Sequence, residues 1–236
     1  MTQTNTPAAT EIQEIFDRIA PVYDQLNAWL SFGQHRVWKL MTVKWCNPKS
    51  GQKALDVCCG SGDLTQLLAK KVGSQGHVIG LDFSANLLAI AAQRISTQTP
   101  PLPIQWLEGD ALNLPFEADT FDCATMGYGL RNVTDIPLAL SELRRVLKPG
   151  GKVAILDFHH PNQAWIQHFQ QWYLQTIVVP TANYFQVTEE YAYIYPSLER
   201  FPDGRNQVKL AYEAGFSQVV HYAIAGGLMG VLVAEK

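Results

Sequence analysis

The chain has 236 residues, enough for one large domain with a cap and too few for two full domains. Hydrophobic residues make up 47% and aromatics 11%, with six tryptophans, while charged residues reach only 17% against ~25% in an average soluble protein; global disorder is excluded and an apolar surface or pocket is expected. With 18 basic against 21 acidic residues, a formal charge of −3 and a pI near 6.1, the chain lacks the positive field of a protein held by nucleic-acid phosphates.

Residues 1–10 are small and polar and read as a disordered lead. They carry no apolar signal core and no Arg-rich amphipathic stretch, so a cytoplasmic protein is expected. Over 11–46 apolar residues recur at helical spacing (Ile12, Ile15, Phe16, Ile19, then Leu26, Trp29, Leu30), interrupted by Pro21 and Gly33, which predicts a helical cap in two or three pieces. The turn Asn47-Pro-Lys-Ser-Gly51 separates a lead-and-cap region, 1–50, from a main domain, 51–236. Short β-like runs at 53–57, 77–81, 104–108, 121–126 and 152–158 then alternate with helical stretches, the pattern of a doubly wound, mostly parallel α/β sheet. Two last runs, 216–223 and 228–234, are joined by Ile224-Ala-Gly-Gly227, whose glycines suit a tight hairpin and predict an antiparallel edge.

The stretch 159–215 breaks this alternation and reads as a helical insertion before the sixth strand. Within it Trp165, Ile166, Phe169, Trp172, Tyr173 and Ile177 share one helical face, which either packs on the core or covers an apolar substrate as a lid. No run approaches the ~18–20 apolar residues of a membrane span. Cys46, Cys58, Cys59 and Cys123 have neither CxxC spacing nor flanking histidines, so no metal site and no disulfide scaffold is expected.

The first strand runs into Leu55-Asp-Val-Cys-Cys-Gly-Ser-Gly-Asp63, which opens an amphipathic helix. Gly60 and Gly62 allow a ligand close to the backbone, and the helix start offers N–H groups. Counted from Gly60, the sixth position is Thr65 where a dinucleotide fingerprint wants glycine, and no phosphate-binding lysine follows; a pyrophosphate ligand is disfavoured. Asp82 ends the second strand 20 residues past Gly62 (82 − 62), where a carboxylate grips a ribose diol. Asp110, in Glu108-Gly-Asp-Ala111, ends the third and is placed to accept from an exocyclic amine such as that of adenine. Either acid alone is commonly a solvated strand end or a helix cap; in register with the glycine loop and Asp56 they outline a nucleoside site.

At these residues the chain resembles the class I S-adenosylmethionine-dependent methyltransferases: 55–63 is similar to their first motif, Asp82 to their ribose acid, Asp110-Ala111 to their adenine-side motif, and Val146-Leu-Lys-Pro-Gly-Gly151 to the turn before the fifth strand. The resemblance implies a seven-stranded Rossmann-like sheet with an antiparallel last strand. It also implies S-adenosylmethionine as cofactor, S-adenosylhomocysteine as product, and cofactor contacts from Asp56, Gly60, Ser61, Gly62, Asp82, Asp110, Ala111 and Gly127. Gly127 would serve through its backbone, since some relatives carry Ser there.

Tyr23-Asp24, Asn27, Ser31, Gly33 and His35-Arg36-Val37-Trp38, with Phe121-Asp122 and Gly129-Leu-Arg-Asn-Val133, narrow the likeness to the ubiquinone/menaquinone-biosynthesis C-methyltransferase family, over about residues 12–236. Phe201-Pro-Asp-Gly-Arg205, Glu213-Ala-Gly-Phe216, His221-Tyr222 and Gly226-Gly-Leu-Met-Gly230 are most similar to its branch that makes the last methylation of phylloquinone synthesis. The resemblance therefore implies C-methylation of the reduced ring of demethylphylloquinol (2-phytyl-1,4-naphthoquinol). Demethylmenaquinol or a ubiquinone precursor is the alternative acceptor, and a non-catalytic cofactor-binding scaffold the remote one. Asp157-Phe-His-His-Pro161 departs from the family's acid-Phe-Ser/Asn-Lys pattern, so no role carries over to His159 or His160.

A ring carbon attacks a sulfonium methyl only when a neighbouring hydroxyl has lost its proton, which for a phenol happens near pH ~10. The site therefore needs a base or a cation that stabilises the phenolate. The resemblance implies Arg131 in this role, as a stabilising cation because arginine stays protonated; a structural ion pair is the competing reading. Tyr23, Asp24 and His35 either orient the ring or pin the cap to the core. Trp165, Phe169 and Trp172 are the candidate lid over the prenyl tail. The expected partners are a prenylated quinol and, from one side, the cytoplasmic face of a membrane; nucleic acid is not expected, and a homodimer stays open.

Overall fold

The computed structural model describes Ser31, residues 33–159 and 194–236, and isolated positions at 161, 166, 168, 171, 172 and 176. The first described helix, α1 (His35–Cys46), precedes β1 (Lys53–Val57), α2 (Asp63–Val72), β2 (His77–Asp82), α3 (Ala85–Ile95) and β3 (Ile104–Glu108). β4 (Phe121–Gly127), a 3-10 turn (Leu130–Asn132), α4 (Ile136–Val146) and β5 (Leu147–Phe158) follow. After α5 (Ile194–Arg200) and α6 (Gly204–Glu213) the described chain closes with β6 (Gln218–Ile224) and β7 (Met229–Glu235).

Among the described residues the strands form one seven-stranded sheet in the order β3-β2-β1-β4-β5-β7-β6. β7 runs antiparallel to both β5 and β6, while β1 to β5 pair in parallel. This is the expected Rossmann-like sheet, and its last strand is the antiparallel one as expected, but that strand lies inside the sheet and not at its edge. The glycines at 226 and 227, with φ of 68° and 93°, close the hairpin, but β7 slots in beside β5 and leaves β6 at the edge, parallel to the rest. A hairpin fixes that two strands are antiparallel to each other and not which of them meets the existing sheet. β5 also starts earlier than its apolar run: pairing begins at Phe121 opposite Leu147 and resumes at Cys123 opposite Lys152, so residues 148–151 form a bulge with Pro149 and Gly150 exposed and Gly151 buried. The bulge is tied down by Gly150 N–H to the Lys236 carbonyl and Lys236 N–H to the Gly151 carbonyl, each 3.0 Å.

Parallel strands covered on both faces need apolar side chains on both, and β4 shows it, with Phe121, Cys123, Ala124 and Met126 all buried. Leu55 and Val57 of β1 face a layer with Leu140 and Leu143 of α4 and Ala211 of α6, whereas Ala54 faces Leu68 and Val72 of α2 and Val43 of α1. Each such fully buried Leu or Phe contributes about 1.5–3 kcal/mol. α6 turns Gly204, Gln207 and Ala211 inward against β6 and α4, so the end of the 159–215 stretch is a crossover helix of the core and a lid can involve only residues ahead of it. The expected disordered lead, the cap up to Leu30 and most of the aromatic face of that stretch lie outside the described residues.

Helix starts separate structure from function. Ser84, Asp135 and Asp203 cap α3, α4 and α6 by accepting from the N–H groups of Leu87, Leu138 and Asn206. α2 begins instead at Gly62, left-handed at φ 84° and without a side-chain cap, so nothing of Gly62 screens the positive end of that helix.

Candidate active site

The strand order reverses between β1 and β4, and a cleft lies at the carboxyl ends of the strands around that point, where doubly wound sheets bind their ligands. Cys58 and Gly60 line it from the loop after β1, and Asp82 and Phe83 from the end of β2. Asp110 and Ala111 come from the loop after β3, and Gly127, Tyr128, Gly129 and Asn132 from the end of β4 and the turn beyond it.

The loops around this cleft are held in costly conformations. Cys58 and Tyr128, which follow adjacent strands, adopt left-handed backbones with φ of 54° and 60°, a strain of about 1–3 kcal/mol each for residues with a Cβ. Tyr128 is kept there from both ends. Its N–H donates to the Leu156 carbonyl at 2.7 Å, and its own carbonyl accepts from Arg131 Nη1 at 2.9 Å and Asn132 Nδ2 at 3.0 Å. A Cβ on Gly62 would stand 2.5 Å from the Trp106 ring, and one on Gly80 2.6 Å from it; the indole of β3 fills the space both glycines leave.

Asp82 is 3% exposed and its two oxygens accept from Gly60 N–H at 2.8 Å and Ser84 N–H at 3.0 Å. It therefore fastens the glycine loop to β2 as well as lining the cleft. Asp110 is exposed and steadies its own loop by accepting from Leu112 N–H at 2.9 Å. Of the residues expected to touch the cofactor, Gly60, Asp82, Asp110, Ala111 and Gly127 lie together along the cleft.

Asp56, Ser61 and Gly62 are not among the lining residues. The Ser61 carbonyl accepts from Arg94 Nη1 at 2.8 Å. Asp56 is fully buried on the opposite face of β1 from Leu55, its oxygens accepting from the hydroxyls of Thr65 at 2.6 Å and Thr125 at 2.7 Å. Burial pushes its carboxyl up to about 6, against the two threonine hydrogen bonds. Its position is that of a structural acid joining β1, β4 and α2.

A pH dependence follows. The folded state binds this proton more tightly than the unfolded chain, whose carboxyl titrates near 3.8, so the contribution of Asp56 to stability is present below pH 4 and is lost as pH rises through 6. The shift corresponds to about 3 kcal/mol. In urea unfolding between pH 4 and pH 7, the wild type is expected to lose about that much more stability than Asp56→Asn; parallel pH profiles would contradict the assignment.

Lys39 and Asp63 were not singled out by their sequence pattern, yet they brace the loop. Lys39 Nζ donates to Asp63 Oδ2 at 2.7 Å, and Arg94 Nη2 to Asp63 Oδ1 at 2.7 Å. Burial would raise the Asp63 carboxyl, but the two cations hold it below the ordinary range. The signal for Lys39 was present: it shares the inward row of α1 with His35, Thr42, Val43 and Cys46. His35, 7% exposed, hydrogen-bonds through Nδ1 to Ser31 Oγ at 2.6 Å and lies outside the cleft lining. Burial pushes the Cys58 and Cys59 thiols well up, which keeps them protonated and poor nucleophiles at neutral pH.

Arg131 is nearly enclosed, its side chain 8% exposed against 3% for Asp157. Nη1 donates to Asp157 Oδ1 at 2.8 Å, the Arg131 N–H to Asp157 Oδ2 at 3.1 Å, and the guanidinium carbon stands 5.0 Å from the Phe158 ring centre. Arg131 Nε is buried with no hydrogen-bond partner. The pair sits next to Asn132, which lines the cleft, so the ion pair and a place beside the site coexist. Tyr23, Asp24, Trp165 and Phe169 lie outside the described residues; Trp172 is 52% exposed and so is not a core side chain.

The architecture matches solved S-adenosylmethionine-dependent methyltransferases. One from Thermotoga maritima has a TM-score of 0.66 over 94% of this chain and 99% of that one, at 20% identity. The residues of the cleft fit such a cofactor: acids stand at the ends of β2 and β3, and the glycine loop leaves the start of α2 open. The chain is an S-adenosylmethionine-dependent methyltransferase. A model of the ubiE/COQ5 methyltransferase family matches residues 2–236, and the chain belongs to that family. It is 62% identical over 226 residues to a Trichormus variabilis protein named 2-phytyl-1,4-naphtoquinone methyltransferase, covering 96% of this chain and 99% of that one. It is 50% identical over 236 residues to the Arabidopsis thaliana protein named 2-phytyl-1,4-beta-naphthoquinone methyltransferase, chloroplastic, covering 99% and 90%.

Proposed function

We propose that the enzyme C-methylates the reduced ring of demethylphylloquinol, the last methylation of phylloquinone synthesis. The observation that carries the substrate is the 62% identity, over nearly the whole of both chains, to a protein named for that reaction. S-adenosylmethionine, when bound, supplies an electrophilic sulfonium methyl and leaves as S-adenosylhomocysteine. The chain aligns the acceptor with it, holding Asp82 and Asp110 toward the nucleoside and the β4 loop toward the ring. The quinol O–H proton departs to water and the Arg131 guanidinium, beside the cleft-lining Asn132, stabilises the phenolate oxygen. Asp157 keeps that guanidinium in place. After methyl transfer the ring carbon loses its own proton and aromaticity returns.

The prenyl tail accounts for the apolar composition, each buried CH₂ contributing about 0.8 kcal/mol. Trp165, Phe169 and Trp172 cover it as a lid in this reading, and the exposure of Trp172 supports an aromatic face that the core does not absorb. Among the described residues no helix is long and apolar enough to cross a membrane. α1 supports contact from one side: Val37 and Leu40 are each 52% exposed, between Arg36 and Lys44, and the helix contains no acid. The test is labelled methyl transfer to a panel of reduced demethylated quinones. A phytylated naphthoquinol should give the highest kcat/KM; a higher value for a benzoquinol, or for a naphthoquinol with an unsaturated polyprenyl tail, would move the acceptor assignment.

A further inference from the structure

The glycine loop is fastened from two sides, and one of the fasteners belongs to no sequence motif. On one side Cys59 N–H donates to the Leu81 carbonyl at 3.0 Å and Gly60 N–H to Asp82 Oδ2 at 2.8 Å, which ties the start of the loop to β2. On the other, the peptide joining Ser61 to Gly62 is held at both ends: its N–H donates to the Cys59 carbonyl at 2.9 Å, and its carbonyl accepts from Arg94 Nη1 at 2.8 Å. Arg94 stands in the last turn of α3, and its other arm, Nη2, donates to Asp63 Oδ1 at 2.7 Å. One planar guanidinium thus grips the residues before and after Gly62, a fork that a lysine ammonium does not reproduce. Lys39 of α1 donates to Asp63 Oδ2 at 2.7 Å, so the carboxylate that Arg94 leans on is itself fixed.

We infer that Arg94 is a positioning residue for the cofactor, holding the Ser61–Gly62 peptide so that the loop meets S-adenosylmethionine already shaped. Arg94 is not among the residues lining the cleft, so its effect passes through the loop. Gly62, at φ 84° and without a Cβ, is the point where the loop could most readily change shape. Without Arg94 the peptide beside it loses the hold on its carbonyl, and the cofactor would have to order the loop as it binds, at a cost in affinity. As an ion pair alone, at 35% and 27% side-chain exposure, Arg94–Asp63 would contribute little; the arm on the Ser61 carbonyl carries the role. That role concerns the cofactor, whichever quinol is methylated.

The experiment reads Arg94→Ala twice: by calorimetry with S-adenosylmethionine and with S-adenosylhomocysteine, and by NMR hydrogen exchange of the Gly62 amide in enzyme without cofactor. Both affinities should fall about 10-fold, the worth of one charge-assisted hydrogen bond, and the Gly62 amide should exchange about 10-fold faster. Arg94→Lys, whose ammonium lacks the planar fork, should fall between the wild type and Arg94→Ala in both readouts, and it carries the test should Arg94→Ala fail to fold. Unchanged cofactor affinity in a folded variant makes Arg94 a structural ion pair and overturns the assignment. Weakened affinity with Gly62 exchange unaltered makes Arg94 a direct ligand of the cofactor and overturns it as well.

Discussion

Arg131→Ala is expected to destabilise the fold by about 3–5 kcal/mol as well as abolish turnover, because it strands the Asp157 carboxylate, 3% exposed, without its counter-charge. Loss of activity in that single variant would therefore say little about chemistry. Arg131→Ala combined with Asp157→Ala removes both charges and should recover most of the stability in urea unfolding. It should still fall by at least about 100-fold in kcat, with S-adenosylmethionine affinity nearly unchanged, the result expected of a cation proposed to serve an anion formed on the way to the transition state. A stable double variant with near-normal turnover would reduce Arg131 to an ion pair tying the turn after β4 to β5.

The second large effect concerns Asp82. Asp82→Ala should weaken S-adenosylmethionine binding by about 10- to 100-fold in calorimetry, the range for losing a charge-assisted hydrogen bond of ~1.5–3 kcal/mol. Two losses coincide there: an acid facing the cleft, and the acceptor that holds Gly60 N–H at 2.8 Å. Asp82→Asn keeps one oxygen for Gly60 and should fall between the wild type and Asp82→Ala. Unchanged affinity in Asp82→Ala would remove it from the cofactor site.

Much of this was legible in the sequence, for identifiable reasons. A strand buried on both faces leaves an unbroken apolar run, and a glycine loop between strand and helix leaves a short, fixed signature, so the sheet and the ligand end of β1 could be read directly. Asp56 and Asp82 look alike in sequence, both acids at or near the end of a strand, and only the sheet separates them. Asp56 points into the α2 layer toward Thr65 and Thr125, while Asp82 reaches across to Gly60. The Arg131–Asp157 pair joins residues 26 apart in the chain, and no local pattern records it. The strain at Tyr128 is equally silent, because a tyrosine at positive φ has no sequence signature as glycine does. β7 beside β5 follows from competition between two hairpin strands for one sheet edge, which a period-two pattern does not encode.

The most direct test is methyl transfer from labelled S-adenosylmethionine to 2-phytyl-1,4-naphthoquinone under argon, with and without dithionite. Label should enter the ring only after the quinone is reduced, because only an ionised ring hydroxyl makes the carbon a nucleophile. Equal incorporation into the oxidised quinone, or none into the quinol, would contradict phenolate-driven C-methylation by this enzyme.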